Sequence, residues 1–260
     1  MHPSTDVALG ARAIAVSVRN LSVVFETDDR SVEAVRNLSL DVFRNECLSL
    51  VGVSGAGKST ILNVIAGFLT PTSGAVLVNG NEVTSAGPDR GFVFQTNSLF
   101  PWKRVLQNVE FGPRMRGIDA KTRKRAATNL LSAVGVAEFS RFYPGELSVG
   151  MQQRVALARA YANDPDILLM DEPFGSLDAQ TALDMQKLLW SIRQKTPKTI
   201  IFVTHNIEEA VTVSDRIVVI SRRPAEVKEI FPVDLPYPRE LNVHTAAKYA
   251  DLRAQIFKLI

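Results

Sequence analysis

Between Gly52 and Thr60 the chain reads Gly-Val-Ser-Gly-Ala-Gly-Lys-Ser-Thr, which fills every fixed position of the phosphate-binding pattern G-x-x-x-x-G-K-S/T known as Walker A. This pattern has meaning only in the turn between a strand and a helix, so it constrains the fold as well as the chemistry. Both flanks comply: Cys47 to Val53 is apolar and β-prone, and Ile61 to Leu69 carries helical periodicity. A loop poor in side chains lets successive backbone N–H groups converge on phosphate oxygens, and a helix beginning near Lys58 points its positive end at the same anion. Lys58 adds a mobile cation for the β- and γ-phosphates, and the hydroxyl of Ser59 suits Mg2+. The segment predicts a nucleoside triphosphate cradle made by Gly52, Ser54, Gly55, Ala56, Gly57, Lys58, Ser59 and Thr60.

Composition allows such a fold and narrows the partners. The 260 residues suffice for one large domain or a core with an appended lobe. With 46% hydrophobic and 22% charged residues, and no low-complexity tract, the chain reads as globular. Apolar runs stop far short of the roughly 20 residues that span a bilayer, so the chain is not expected to cross a membrane by itself. The start of the chain includes Asp6 and no compact apolar block behind a basic stretch, which reads as no secretory signal and a cytoplasmic location. A net charge of +3 is too small to argue for nucleic acid as the partner. The densest basic cluster, Lys121 to Arg125, reads as a solvated helix face, and Cys47, the single cysteine, as a small buried hydrophobe.

Along the chain, Ile14 to Val51 reads as an antiparallel β-rich edge whose last strand feeds the phosphate loop. Gly74 to Val78 and Gly91 to Phe94 are short strand candidates. Residues from about Pro101 to Leu147 are helical in pattern, interrupted at Gly112-Pro113, Gly117, Gly135 and Pro144-Gly145, which predicts a helical lobe inserted into the core. Alternation of helix and strand then resumes: a helix over Val149 to Ala162, strands over Ile167 to Met170, Thr199 to Thr204 and Arg216 to Ser221, and a second helix whose stripe of Met185, Leu188, Leu189 and Ile192 is core packing. A proline-containing stretch and a short amphipathic helix close the chain. The expected fold class is an α/β P-loop NTPase (RecA-like) core with an antiparallel β subdomain and an inserted α-helical subdomain. One nucleotide-binding domain is expected over 14–223, with the nucleotide-binding core and β subdomain in 14–100 and 155–223, the helical subdomain in 101–154, and a tail in 224–260.

The strand Ile167-Leu-Leu-Met ends in Asp171 and Glu172, the Walker B arrangement of a buried strand with a charged tip. Asp171 reads as the magnesium partner, and Glu172 as the general base for in-line attack of water on the γ-phosphate. With Leu147-Ser-Val-Gly-Met-Gln-Gln-Arg154 between the helical lobe and this strand, the chain resembles the ATP-binding cassette family from Val16 to Arg223. Ser148 is placed to cap a helix whose free N–H groups face a phosphate. In the family that phosphate belongs to ATP on a partner subunit, so the resemblance implies a head-to-tail homodimer in which Ser148 and Gly150 complete the site. Val149 stands where the family commonly has the first glycine of this motif. The resemblance further assigns Phe25 to adenine stacking, Gln95 to the metal and the attacking water, Asp178 to the loop after Walker B, and His205 to a switch position.

The segment Phe94-Gln95 through Leu99-Phe-Pro-Trp102-Lys-Arg-Val-Leu-Gln-Asn-Val109, with Ser221-Arg-Arg-Pro224, is similar to importers of nitrate, sulfonates, taurine and related anions. That similarity implies an ATP- and Mg2+-dependent ATPase subunit held peripherally at the cytoplasmic face of the inner membrane. It would serve a separate transmembrane permease, with Phe100 and Trp102 as aromatic anchors, although Trp102 equally suits packing within the helical lobe, and indirectly an extracytoplasmic solute-binding protein. The alternative is a cassette ATPase acting on DNA or ribosomes. DNA-acting cassettes would need a long coiled coil between Gln95 and Ser148, where no sustained heptads occur, and ribosomal ones a second cassette.

Overall fold

In the computed structural model, residues 13–27, 30–96, 98–237, 239 and 243–260 are described. Alternation of apolar and polar residues builds the first sheet. Strands β1 (Ile14–Thr27) and β2 (Arg30–Phe43) pair antiparallel, with Val16 opposite Val42, Val18 opposite Leu40 and Val23 opposite Val35, all buried. Strands β4 (Ser73–Val78) and β5 (Asn81–Glu82) extend it in the order β2-β1-β4-β5. Expected as part of that edge, β3 (Cys47–Val51) instead lies inside a second sheet. Its residues are buried throughout, as a strand with both faces covered requires, and it runs parallel to its neighbours.

That second sheet has the order β10-β9-β3-β8-β7-β6, formed by β6 (Arg90–Val93), β7 (Ile167–Asp171), β8 (Thr199–Thr204), β9 (Arg216–Ile220) and β10 (Val227–Pro232). All are parallel except β10, which pairs antiparallel with β9. Successive side chains point to opposite faces, and the two faces of β7 and β8 serve different cores. Ile167, Leu169, Ile201 and Val203 join the cluster under the first sheet and α1 (Lys58–Ala66). Leu168, Met170, Ile200 and Phe202 join the cluster of the helical layer: α2 (Val105–Met115), α3 (Ala120–Ala133), α4 (Val149–Ala162) and α5 (Ala179–Lys195). The stripe of Met185, Leu189 and Ile192 is buried there, with Leu188 packed at its edge. Cys47 is buried in the same layer, and burial pushes its thiol up to about 12, which leaves it unreactive at neutral pH.

Two readings of the chain change. Gly112-Pro113 does not interrupt a helix, because α2 runs through it to Met115. A proline in the last turn forfeits one backbone bond, and Gly112 is small for another reason: a Cβ there would lie 2.4 Å from Oδ1 of Asn163 at the end of α4. The stretch after β9 also carries more order than its prolines suggest. It contains β10, and a third core joins Phe231, Val233, Leu235 and Ile256 of α7 (Val243–Phe257) to Ala210 and Val211 of α6 (Ile207–Val213).

Candidate nucleotide site

Four strand ends of the parallel sheet, those of β3, β6, β7 and β8, bring the site together. The loop after β3 turns through two glycines in left-handed conformations, Gly55 at φ +75° and Gly57 at φ +106°. Gly52 packs under Ile220, where a Cβ would come within 2.9 Å of that side chain. Ala56 is buried, Ser54 and Gly55 are exposed, and Thr60 lies in the first turn of α1. Lys58, only 4% exposed, donates to the carbonyls of Gly52 (2.8 Å) and Val53 (2.9 Å), curling the loop around its own ammonium. Burial lowers its affinity for the proton, while the charges of Glu172 and Asp171 oppose that effect.

At the end of β7 the chain presents Asp171 and Glu172. The Ser59 hydroxyl donates to Oδ1 of Asp171 across 2.9 Å, joining the loop to the strand. Burial raises the Asp171 carboxyl; the Ser59 hydrogen bond lowers it, the neighbouring Glu172 charge raises it, and Lys58 lowers it. Glu172 takes a left-handed backbone (φ +42°), a conformation costing on the order of 1 kcal/mol outside glycine. Its N–H donates to the Val203 carbonyl (2.9 Å) of β8, which holds it there. That turn aims the carboxylate into a three-sided cluster. Oε2 lies 3.0 Å from Nδ1 of His205, which follows β8, and accepts from Nε2 of Gln95 at 3.4 Å, while Oε1 is 3.8 Å from Lys58.

Residues to which sequence motifs pointed thus converge from four segments: Lys58 and Ser59 after β3, Gln95 after β6, Asp171 with Glu172 at the end of β7, and His205 after β8. Two oxygens, from Ser59 and Asp171, offer the hard ligands that Mg2+ prefers, and among the described residues no group of three His, Cys, Asp or Glu could form an all-protein cage. That donor set fits a cation that takes its remaining ligands from phosphate and water. Phe25 stands on β1 with 42% of its surface exposed, so it is not core.

Ser148, Gly150 and Asp178 gather elsewhere. Ser148 caps α4, accepting from the Met151 N–H at 3.3 Å, and Asp178 caps α5, accepting from the Thr181 N–H at 3.0 Å and its hydroxyl at 2.7 Å. Those Thr181 bonds hold the Asp178 carboxyl below its ordinary range. The two helix starts meet where Gly150 has no side chain, since a Cβ there would lie 2.7 Å from Cγ2 of Thr181. Between them opens a groove of about 470 Å³ lined by Ser148, Val149, Gly150, Ser176, Asp178 and Thr181, with none of the phosphate-loop residues in its wall. Val149 is the first residue of α4 and is 47% exposed.

Two contacts go beyond what the motifs assign: Glu209 belongs to none of them, and Arg223 lies in the Ser221–Pro224 segment, whose similarity gave it no role. Glu209 on α6 accepts from the Thr204 hydroxyl (2.7 Å), which in turn accepts from the Asn206 N–H (3.0 Å), bracing the turn that carries His205. Arg223 donates to the carbonyl of Gly55 at 3.0 Å. The only trace of either is local: a glutamate four residues after the histidine, and a pair of arginines before Pro224.

Residues 35–175 match the family model described as ABC transporter. The taurine import ATP-binding protein TauB of Roseobacter denitrificans is 46% identical over 250 residues, covering 94% of this chain and 93% of that protein. The nitrate import ATP-binding protein NrtD of a Synechocystis species is 46% identical over 225 residues, covering 86% and 85%. Among solved structures, the dimeric post-hydrolysis state of the ATP-binding cassette MJ0796 bound to ADP and Pi superposes with a TM-score of 0.76 at 31% identity, covering 85% of this chain and all of that one. With phosphate loop, acidic strand end and capped helix all in place, this chain belongs to the ABC transporter family as an ATP-hydrolysing cassette.

Proposed function

We propose that this chain is the ATPase subunit of an importer for a small anion such as nitrate, a sulfonate or taurine, working as a head-to-tail homodimer beneath a separate permease. The observation that carries the dimer is the separation of the two half-sites. Neither the phosphate-loop residues nor Glu172 line the groove of Ser148 and Asp178, so each nucleotide would be closed in by the groove of a second copy. The cassette of known dimeric structure and the anion importers named above support this reading.

In the proposed cycle the N–H groups of residues 54–60 hold the triphosphate, and Lys58 leaves its two carbonyl partners to meet the outer phosphates. Phe25 supplies a face for adenine. Ser59, Asp171 and Gln95 would hold Mg2+, which supplies neutralising charge at the phosphate oxygens. Glu172 accepts a proton from the attacking water, His205 and Gln95 orient that carboxylate, and the Ser148 cap with Gly150 covers the phosphates of the opposing copy. The core of 14–100 and 155–223 binds nucleotide, while the helical part of 101–154 carries closure outward.

Trp102, 71% exposed and tilted against Phe100 at 5.7 Å, gives that part an aromatic anchor for the permease. No helix among the described residues is long and apolar enough to cross a membrane, which fits a peripheral position at the cytoplasmic face. An extracytoplasmic binding protein would select the solute.

Glu172→Gln keeps the shape and removes the base. It is expected to slow ATP turnover by roughly 10²- to 10⁴-fold and to trap an ATP-dependent dimer visible by size-exclusion chromatography. Unchanged hydrolysis would overturn the assignment of Glu172, and a monomer under saturating ATP would overturn the closed dimer.

A further inference from the structure

The segment between β9 and β10 is built to hold one side chain against the phosphate loop. Ser221 closes the segment on itself: its N–H donates to the Glu226 carbonyl (2.9 Å), its hydroxyl donates to the Pro224 carbonyl (2.6 Å), and the Glu226 N–H donates back to that hydroxyl (2.9 Å). The closed turn is then fixed to β2, because the Ala225 N–H donates to the Ala34 carbonyl (2.9 Å) and the Arg36 N–H to the Ala225 carbonyl (3.1 Å). From this platform Arg223 reaches over the loop, and its guanidinium donates to the Gly55 carbonyl at 3.0 Å.

The peptide unit it touches follows a glycine that is free to change backbone well. Gly55 is left-handed, as is Gly57 two residues later, and glycine crosses between backbone wells at little cost. The same peptide's N–H, on Ala56, donates to the Val53 carbonyl at 3.2 Å, so the unit is held at both ends. Were it to flip, the bonds to Arg223 and to the Val53 carbonyl would both be lost, and the loop would leave the shape in which its other N–H groups converge. A charge-assisted bond to a carbonyl is the stronger kind, and here its cationic donor sits beside a site for a polyanion.

We infer that Arg223 is a positioning residue for nucleotide binding, which locks the Gly55–Ala56 peptide so that the loop presents N–H groups to the phosphates. This rests on the ATP site proposed above. It acts through the loop, and so on affinity ahead of the chemical step.

The test is a calorimetric titration of the full chain with ATP and Mg2+, alongside steady-state ATPase kinetics, for Arg223→Ala, Arg223→Lys, Arg223→Gln and Lys58→Ala. Arg223→Ala is expected to raise Kd and KM by roughly three- to tenfold while kcat falls by less than about twofold. Lys and Gln, which can each donate to the Gly55 carbonyl, should recover most of that loss. An unchanged Kd in Arg223→Ala, with binding lost in Lys58→Ala, overturns the brace and leaves the nucleotide site standing. Recovery by Lys with none by Gln overturns it too, since the guanidinium would then act only as a diffuse charge. Binding that survives Lys58→Ala unchanged would sink the nucleotide site itself.

Discussion

Gly57→Ala tests how tightly the phosphate loop is wedged between neighbouring strands. At φ +106° the residue lies in territory that side-chain-bearing residues occupy at a cost of about 1–3 kcal/mol. A Cβ there would also sit 2.6 Å from the Ala34 carbonyl oxygen and 3.1 Å from the Cβ of Ala225. Neither neighbour is a flexible side-chain tip. Ala34 belongs to β2, and its carbonyl is already engaged by the Ala225 N–H at 2.9 Å. Relieving the overlap sacrifices that hydrogen bond, about 1 kcal/mol more, for a total near 2–4 kcal/mol. For a chain of this size that lowers Tm by roughly 5–15 °C. Gly80→Ala is the matched control: φ is +82°, no heavy atom lies within 4 Å of the added Cβ, and only the backbone cost remains. That variant should lose roughly 2–6 °C. Thermal unfolding followed by circular dichroism without nucleotide compares the two directly. Equal melting of the two variants would refute the wedge, because it would mean the loop relaxes away from Ala34 at no cost.

Two further expectations concern residues whose surroundings are unusual. Val149→Gly should keep or raise ATP turnover, since the exposed valine crowns the groove that would receive the second copy's nucleotide; a large loss in a coupled ATPase assay would show the idea to be wrong. Glu209→Gln should stabilise the protein at neutral pH. Burial raises the Glu209 carboxyl above its ordinary 4.5, against the Thr204 hydrogen bond and His205, so the folded state penalises the ionised form. The penalty is absent below the unfolded value and sets in as pH rises through the folded one, so the variant's gain in Tm should shrink toward pH 4.5. A gain that persists or grows on acidification would contradict this sign.

Much of the site could be read from the chain because its residues sit in contiguous strings with local mechanical meaning. A glycine-rich turn between an apolar run and a helix fixes Lys58 and Ser59, a buried strand ending in two acids fixes Asp171 and Glu172, and a serine before a helical pattern fixes the cap at Ser148. Each of these depends on chain neighbours alone. Periodicity likewise placed the helix at Val149–Ala162 and the strand at Thr199–Thr204 at their observed bounds.

What periodicity could not supply was which sheet an apolar strand joins. β3 looks the same as a neighbour of β2 or as the centre of a parallel sheet, and only the packing of β8 and β9 on its two sides decided between them. The same holds for contacts between residues distant in the chain. Gly112 makes room for Asn163, Gly150 for Thr181, and Arg223 meets Gly55 across an interval of 168 residues. The tail beyond β9 reads as uninformative because its value lies in what it covers: Ile256 is buried against α6, the short helix that follows His205. Local sequence thus determined the chemical groups and the turns that present them, since backbone sterics act between neighbours. Their convergence on Glu172 was decided by the tertiary structure, because the parallel order of β6, β7 and β8 brings Gln95, Glu172 and His205 to the same end of the sheet.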